Sequence, residues 1–280
     1  MDAAHHTWRL IESGYLSGAE NMAIDEALLE AVADGHSLPI LRIYRWRPAT
    51  VTLGYGQRGS RVVNLDACRR LGYDVVRRCT GGRAVLHDRE VTYAVIAPVG
   101  QGCFPAAVLE SYRVIAEVLR DVYRSFGVDA QLSPRRMAGS GTTAAEQSAC
   151  FTAPGQYELL YRGCKLAGCA QKRLRGAFLQ HGSLPVDLDL EKLYMALDTE
   201  RRLTPVAGAR LLRGHVGWLN RWSAELISVE AVAERLPALF AEKLCLTWDR
   251  TGLTADERGR AVQLQNERYA VDAWNLQGLC

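Results

Sequence analysis

Residues 148–169 hold three of the chain's eight cysteines, Cys150, Cys164 and Cys169, together with one lysine, Lys165. Acyl groups are attacked by a thiolate, and a free cysteine, with a pKa of about 8.5, is mostly protonated at neutral pH. A nearby ammonium favours the thiolate. A cysteine and a lysine held together therefore make an acyl-transfer pair, in which the lysine also carries protons. Cys150 and Lys165 stand fifteen positions apart, too far for neighbours on a helix, but a hairpin that brings the strand after 163 beside the segment before 156 would join them. The competing reading is a small apolar residue packed in a core. Local chemistry leaves Cys150 one candidate among several.

Packing accounts for the remaining cysteines. Cys68 falls in a short helix, Cys103 in a glycine-rich turn and Cys79 beside a glycine pair, where it reads as core. Cys164 adjoins Lys165 and points its side chain the other way; Cys169 reads as a small residue in "LAGCAQ"; Cys245 and Cys280 lie near the end. No C-x-x-C pair and no cysteine–histidine spacing of a zinc site occurs, which argues against a metal, and the cytosolic location expected for the chain keeps thiols reduced, which argues against disulfides.

The second informative stretch is "RRCTGGRAVLHD", residues 77–88. Gly81 and Gly82 lie between strand-like segments and let backbone amides approach a ligand or take positive φ. On spacing alone a tight turn or bulge competes with a binding loop. The pattern fits neither a phosphate loop nor a dinucleotide fingerprint. His87 and Asp88 are adjacent, and adjacent strand residues face opposite sides, so they read first as a hydrogen-bonded turn.

These residues need elements to hold them. Residues 17–35 place Met22, Leu28, Leu29 and Val32 along a helix that Gly35 stops. Residues 38–46 and 49–56 read as strands, 64–72 as a short helix, and 73–98 as strand, glycine loop, short strand, turn and strand. A long amphipathic helix follows over 105–126, then a Ser/Gly/Thr/Ala-rich loop over 133–147 of a kind that folds over sites. Two strands flank Arg162-Gly163, another covers 176–187, and helices are expected at 189–198, 228–245 and 254–268. The fold class is α+β, a mixed or antiparallel sheet packed with helices.

The 280 residues are 48% hydrophobic and 23% charged, with net charge +3, values of an ordinary globular enzyme that demand no nucleic-acid partner. Basic pairs recur (Arg69-Arg70, Arg77-Arg78, Arg135-Arg136, Lys172-Arg173 and Arg201-Arg202) and would attract an acidic partner if they shared a face. Neither a signal peptide nor a membrane-length apolar run is visible, so a cytoplasmic location and no membrane partner are expected.

"RRCTGGRAVLHDREVTYAV", "ENMAIDEALL", "VTLGYGQ", "GCKLAGCAQKR" and "FLQHGSLPVD" occur in the order found in the biotin/lipoate protein ligase-like family of cofactor transferases, which the chain resembles over about residues 8–250. Within it the resemblance is greatest to octanoyltransferases of the LipM type. Arg83 stands where lipoate ligases usually carry a third glycine, and the phrase around Cys150 fits the same branch. The resemblance implies a catalytic domain over 8–250 with a helical C-terminal extension, 251–280, of the same domain.

It further implies an octanoyl thioester on acyl carrier protein as donor, Cys150 as nucleophile and Lys165 as its activator and proton carrier. The acceptor is the lysine of a lipoyl domain, the glycine-cleavage H protein first among them. No cofactor or metal is needed, because a thioester is already activated. Arg77, Gly81, Gly82, Arg83, His87, Gly168 and His181 carry over as substrate-binding positions, with amides near Gly168–Cys169 as oxyanion donors by analogy. His181 is otherwise a satisfied core histidine. The alternatives are an ATP-dependent lipoate ligase, octanoyl transfer between lipoyl domains, and a carrier-protein binder without chemistry.

Overall fold

A computed structural model describes residues 7–133, 157–200 and 203–278. Cys150, Cys280, Arg135-Arg136, Arg201-Arg202 and almost all of the expected loop over 133–147 lie outside the described residues.

The chain opens with a strand that periodicity did not announce, β1 (Thr7–Leu16), followed by helix α1 (Gly18–Ala33). Ser17 caps α1 through a reciprocal box with Glu20. Strands β2 (Ile40–Trp46) and β3 (Thr50–Leu53) follow, then short helices α2 (Gly59–Val62) and α3 (Leu65–Leu71), the latter ended by Gly72 in the left-handed region. Next come β4 (Asp74–Arg77), β5 (Val85–His87), β6 (Glu90–Pro98), α4 (Val108–Ser125) and β7 (Gln131–Leu132). The expected hairpin around Arg162-Gly163 is β8 (Leu159–Tyr161) and β9 (Cys164–Lys165), both turn residues having positive φ. It leads into β10 (Gly168–Leu174) and β11 (Ala177–Pro185). The last part holds α5 (Leu190–Leu197), α6 (Pro205–Leu212), α7 (Val229–Leu244), β12 (Thr247–Asp249) and α8 (Ala255–Leu264), then two π-helical turns over Gln265–Tyr269 and Ala273–Gln277.

Among the described residues the main sheet is mixed and six-stranded, in the order β10-β11-β6-β2-β1-β12. Strands β1, β2 and β12 run parallel to one another, and the rest pair antiparallel. This is an α+β fold with helices on both faces of the sheet. Strand alternation divides the core. Leu41, Ile43, Tyr93, Val95 and Phe178 face α4 and α7, whereas Ile40, Tyr44, Trp46, Ile96 and Leu179 face α1 and α8. Covered by the sheet on one side and by α8 on the other, α1 buries not only its apolar residues but also Asn21, Asp25 and Glu26.

A smaller sheet, β4-β3-β5, packs with α5 and α6 through Val51, Leu53, Leu86, Leu193 and Tyr194. Its topology corrects the turn reading of the glycine pair. Both β4 and β5 pair with β3, in opposite senses, so the segment carrying Gly81-Gly82 crosses the end of β3 instead of closing a hairpin.

Candidate active site

A narrow cavity, with free space for little more than one water molecule, lies between the α1 face of the main sheet and the smaller sheet. Trp46, Arg78, Val85, His87, Gly168 and His181 line it, with Met22, Tyr44, Thr92, Cys169, Ala170, Gly182 and Ser183.

Its polar floor consists of two buried imidazoles, each held from both sides. His181 Nδ1 lies 2.9 Å from Asp25 Oδ2, and its Nε2 lies 2.7 Å from Thr80 Oγ1 in the glycine loop. His87 Nδ1 lies 2.7 Å from Glu90 Oε1, with Nε2 2.8 Å from Thr52 Oγ1. Trp46 stacks on the His87 ring at 4.2 Å. Such second partners fix ring orientation and tautomer.

The carboxylates are themselves tied down. Fully buried Arg42 donates to Asp25 Oδ1 at 2.7 Å, to Asn21 and to Ser13, while Tyr44 donates to Asp25 Oδ2 at 2.7 Å. Burial raises the Asp25 pKa, but Arg42 and the His181 contact outweigh it and hold the carboxyl below its ordinary value. Burial pushes His181 the other way, below 6.5, helped by Arg78 and His87 and opposed by Asp25, so its resting form is neutral. Glu90 accepts from Thr92 and Ser183.

The glycine loop is shaped from inside by Arg78. Its Nη2 donates to the carbonyls of Gly81 and Arg83 at 3.0 and 2.9 Å, and its Nη1 to Thr52 Oγ1 at 2.6 Å. Gly82 sits at φ +95°, outside the range open to other residues at low cost.

Cys169 borders the cavity, but its Sγ turns to the opposite face of β10 and meets a different set of groups. Tyr93 donates to its Sγ at 3.2 Å, and the charges of Glu158 and Lys165 act on it. Lys165 is buried, with Nζ 2.8 Å from Glu158 Oε2. Burial, joined by Glu158 and only partly offset by Tyr93 and Lys165, pushes the Cys169 thiol up to about 12. It is therefore a thiol, not a resident thiolate. Gly182 lies between the two faces; a Cβ there would come within 2.7 Å of Cys169 Sγ and 2.8 Å of Tyr93.

The sequence-derived positions thus separate. His87, Gly168 and His181 line the cavity, and Gly81, Gly82 and Arg83 form the loop that Arg78 braces. Lys165 lies behind β10 near Cys169. Arg77 departs from expectation: its guanidinium does not line the cavity and donates to backbone carbonyls of the C-terminal turn and of residues 54–57. Its neighbour Arg78 occupies the place expected of it, because alternation sends adjacent side chains to opposite sides. The basic pair Arg77-Arg78 is buried and Lys172 pairs with Glu26, so these residues form no exposed basic face. Asp25, Glu90, Thr52 and Thr80 were missed as site residues. The available signal was an amide and an acid four apart, Asn21 and Asp25, on the same side of the helix as Met22, Leu28 and Leu29.

The lipoyl protein ligase A/B catalytic domain matches residues 17–241. The chain belongs to this lipoate/biotin protein ligase family. An octanoyltransferase LipM of Kyrpidia tusciae is 43% identical over 272 residues, 97% of this chain and 99% of that protein. One from Geobacillus kaustophilus is 37% identical, covering 98% and 99%. Among solved structures of the family, the bipartite lipoate protein ligase of Thermoplasma acidophilum superposes with TM-score 0.81 at 25% identity, covering 99% and 98% of the two chains. A lipoate-protein ligase A bound with ATP gives 0.78 at 24% identity, a likeness of fold alone. No helix among the described residues is long and apolar enough to cross a membrane.

Proposed function

We propose that the protein is a protein N-octanoyltransferase that moves octanoyl from acyl carrier protein, through a thioester on Cys150, to a lysine of a lipoyl domain. The observation that carries the reading is end-to-end likeness to LipM octanoyltransferases, 35–43% identical over nearly their whole length. The buried, ion-paired Lys165 supports it, since an ammonium in such a setting supplies both charge and a proton.

In the first half-reaction the Cys150 thiolate attacks the donor's carbonyl carbon, the new C–S bond forms, and the bond to the carrier's sulfur breaks. Lys165 gives its proton to that departing sulfur. In the second, the acceptor's neutral ε-amine attacks the acyl-enzyme, a C–N bond replaces the C–S bond, and the amine's proton goes to Lys165. Thiolate and ammonium are then restored. Amides of Gly168–Cys169, on the strand bordering the cavity, are the proposed oxyanion donors. The apolar wall of Met22, Val85 and Ala170 suits an alkyl chain. The glycine-cleavage H protein is the proposed acceptor and the cytoplasm the proposed location, with residues 8–250 the catalytic domain and 251–280 its extension.

Incubation with octanoyl-acyl carrier protein, without ATP, is expected to add one octanoyl group in intact-mass spectra of the protein, and none to Cys150→Ala. An adduct that survives the substitution removes Cys150 from this role. Strict dependence on ATP with free octanoate or lipoate would replace the transferase reading by a ligase.

A further inference from the structure

Arg77 is a fully buried cation, and among the described residues its guanidinium bonds all go to backbone carbonyls. Two belong to the C-terminal turn: Nε donates to Trp274 O at 2.7 Å and Nη2 to Asn275 O at 3.1 Å. Three belong to the bend after β3, where Nη1 donates to the carbonyls of Gly54, Tyr55 and Gln57 at 3.0, 2.7 and 2.6 Å. The turn grips back. Asn275 Oδ1 accepts from Arg77 N at 2.9 Å, and Trp274 Nε1 donates to Arg77 O at 3.2 Å.

The gripped bend is in turn the seat of the glycine loop. Tyr55 N donates to Thr80 O at 2.8 Å. Gly54 lies so close beneath Gly82 that a Cβ would stand 2.0 Å from Gly82 O. From Thr80 the path is one further hydrogen bond to His181, in the cavity. A buried charge satisfied only by carbonyls is costly to assemble and costly to disturb, which suits a fixed junction between two chain segments.

We propose that the turn at Trp274–Asn275 positions the glycine loop through Arg77, so that the far C-terminus of the chain sets the geometry of the substrate cavity. Arg77, Trp274 and Asn275 are positioning residues that touch no substrate. The proposal rests on the cavity being the acyl site proposed above, but the junction itself is read without any activity.

The test is hydrogen exchange by mass spectrometry on the full-length protein and on Asn275→Ala. Amides of residues 80–84 are expected to exchange about tenfold faster in the variant, while β10 and β11 keep their protection. Trp274→Phe, which deletes the Nε1 hydrogen bond and leaves a smaller aromatic ring in place, is expected to show a smaller change in the same segment. The octanoyl donor's KM is expected to rise in both variants with kcat largely kept. Unchanged exchange in the loop overturns the proposal, and so does a uniform acceleration across the main sheet, which would mark Asn275 as general ballast. Faster exchange confined to the loop, in a protein that transfers no octanoyl, would leave the junction standing and remove only the acyl reading.

Discussion

The two faces of the β10–β11 strand pair carry opposite kinds of polar group. On the α1 face, His181 and His87 are each caught between a carboxylate and a hydroxyl, and Asp25 adds Arg42 and Tyr44. Each ring nitrogen there has a fixed partner. On the other face, Cys169 and Tyr93 sit beside the buried Lys165–Glu158 pair. In the proposed reaction the first face builds shape and the second supplies the proton carrier, with Gly182 leaving them in near contact.

The largest effect is expected on the chemical face. Lys165→Ala should slow octanoyl transfer by about 10²–10⁴-fold in single-turnover assays, the range for losing a positioned acid–base group. Thermal unfolding measured alongside distinguishes this from loss of the Glu158 contact. Transfer within a few-fold of the wild type would show that Lys165 carries no proton.

The shaping face is expected to answer in stability. Asp25→Ala leaves Arg42 buried without its carboxylate and frees His181, at a cost of about 3–5 kcal/mol by denaturant unfolding. A loss below about 1 kcal/mol, the level of an exposed pair, would mean the network adds little.

Much of this division was invisible in one dimension. Helices α1, α4 and α7 follow from apolar spacing, and β2 and β11 from alternation and length, because each periodicity is local. Strand β1 was missed because its place is set by pairing, with β2 along most of its length and with β12 from the other end of the chain at its start. The glycine pair read as a turn, since nothing local says that β3 lies between the strands it joins. The motifs gave His87 and His181, yet not their partners: Asp25 is 156 positions from His181. The assignment of Arg77 instead of Arg78 to the cavity shows the limit of motif transfer. A doublet names two residues, and only the strand's pleat decides which one faces inward.

The smallest expected effect is a pH slope. His181 has a folded pKa below its ordinary 6.5, so below that pH the unfolded chain binds a proton that the native protein refuses. Stability should therefore fall as pH drops below about 6.5, by at most about 1.4 kcal/mol per pH unit, and the slope should flatten in His181→Gln. Asp25 acts in a separate, more acidic window. Its stabilisation is complete above the ordinary carboxylate value of 3.8 and is lost only as pH falls through its lowered folded value. A slope that persists in His181→Gln would assign this titration to another group.

The most direct measurement is the site of acylation. After incubation with octanoyl-acyl carrier protein in the absence of ATP, tandem mass spectrometry of proteolytic fragments should place octanoyl on Cys150 and leave Cys169, a high-pKa thiol, unmodified. Octanoyl found on Cys169, or on no cysteine while transfer to a lipoyl domain proceeds, would contradict the account.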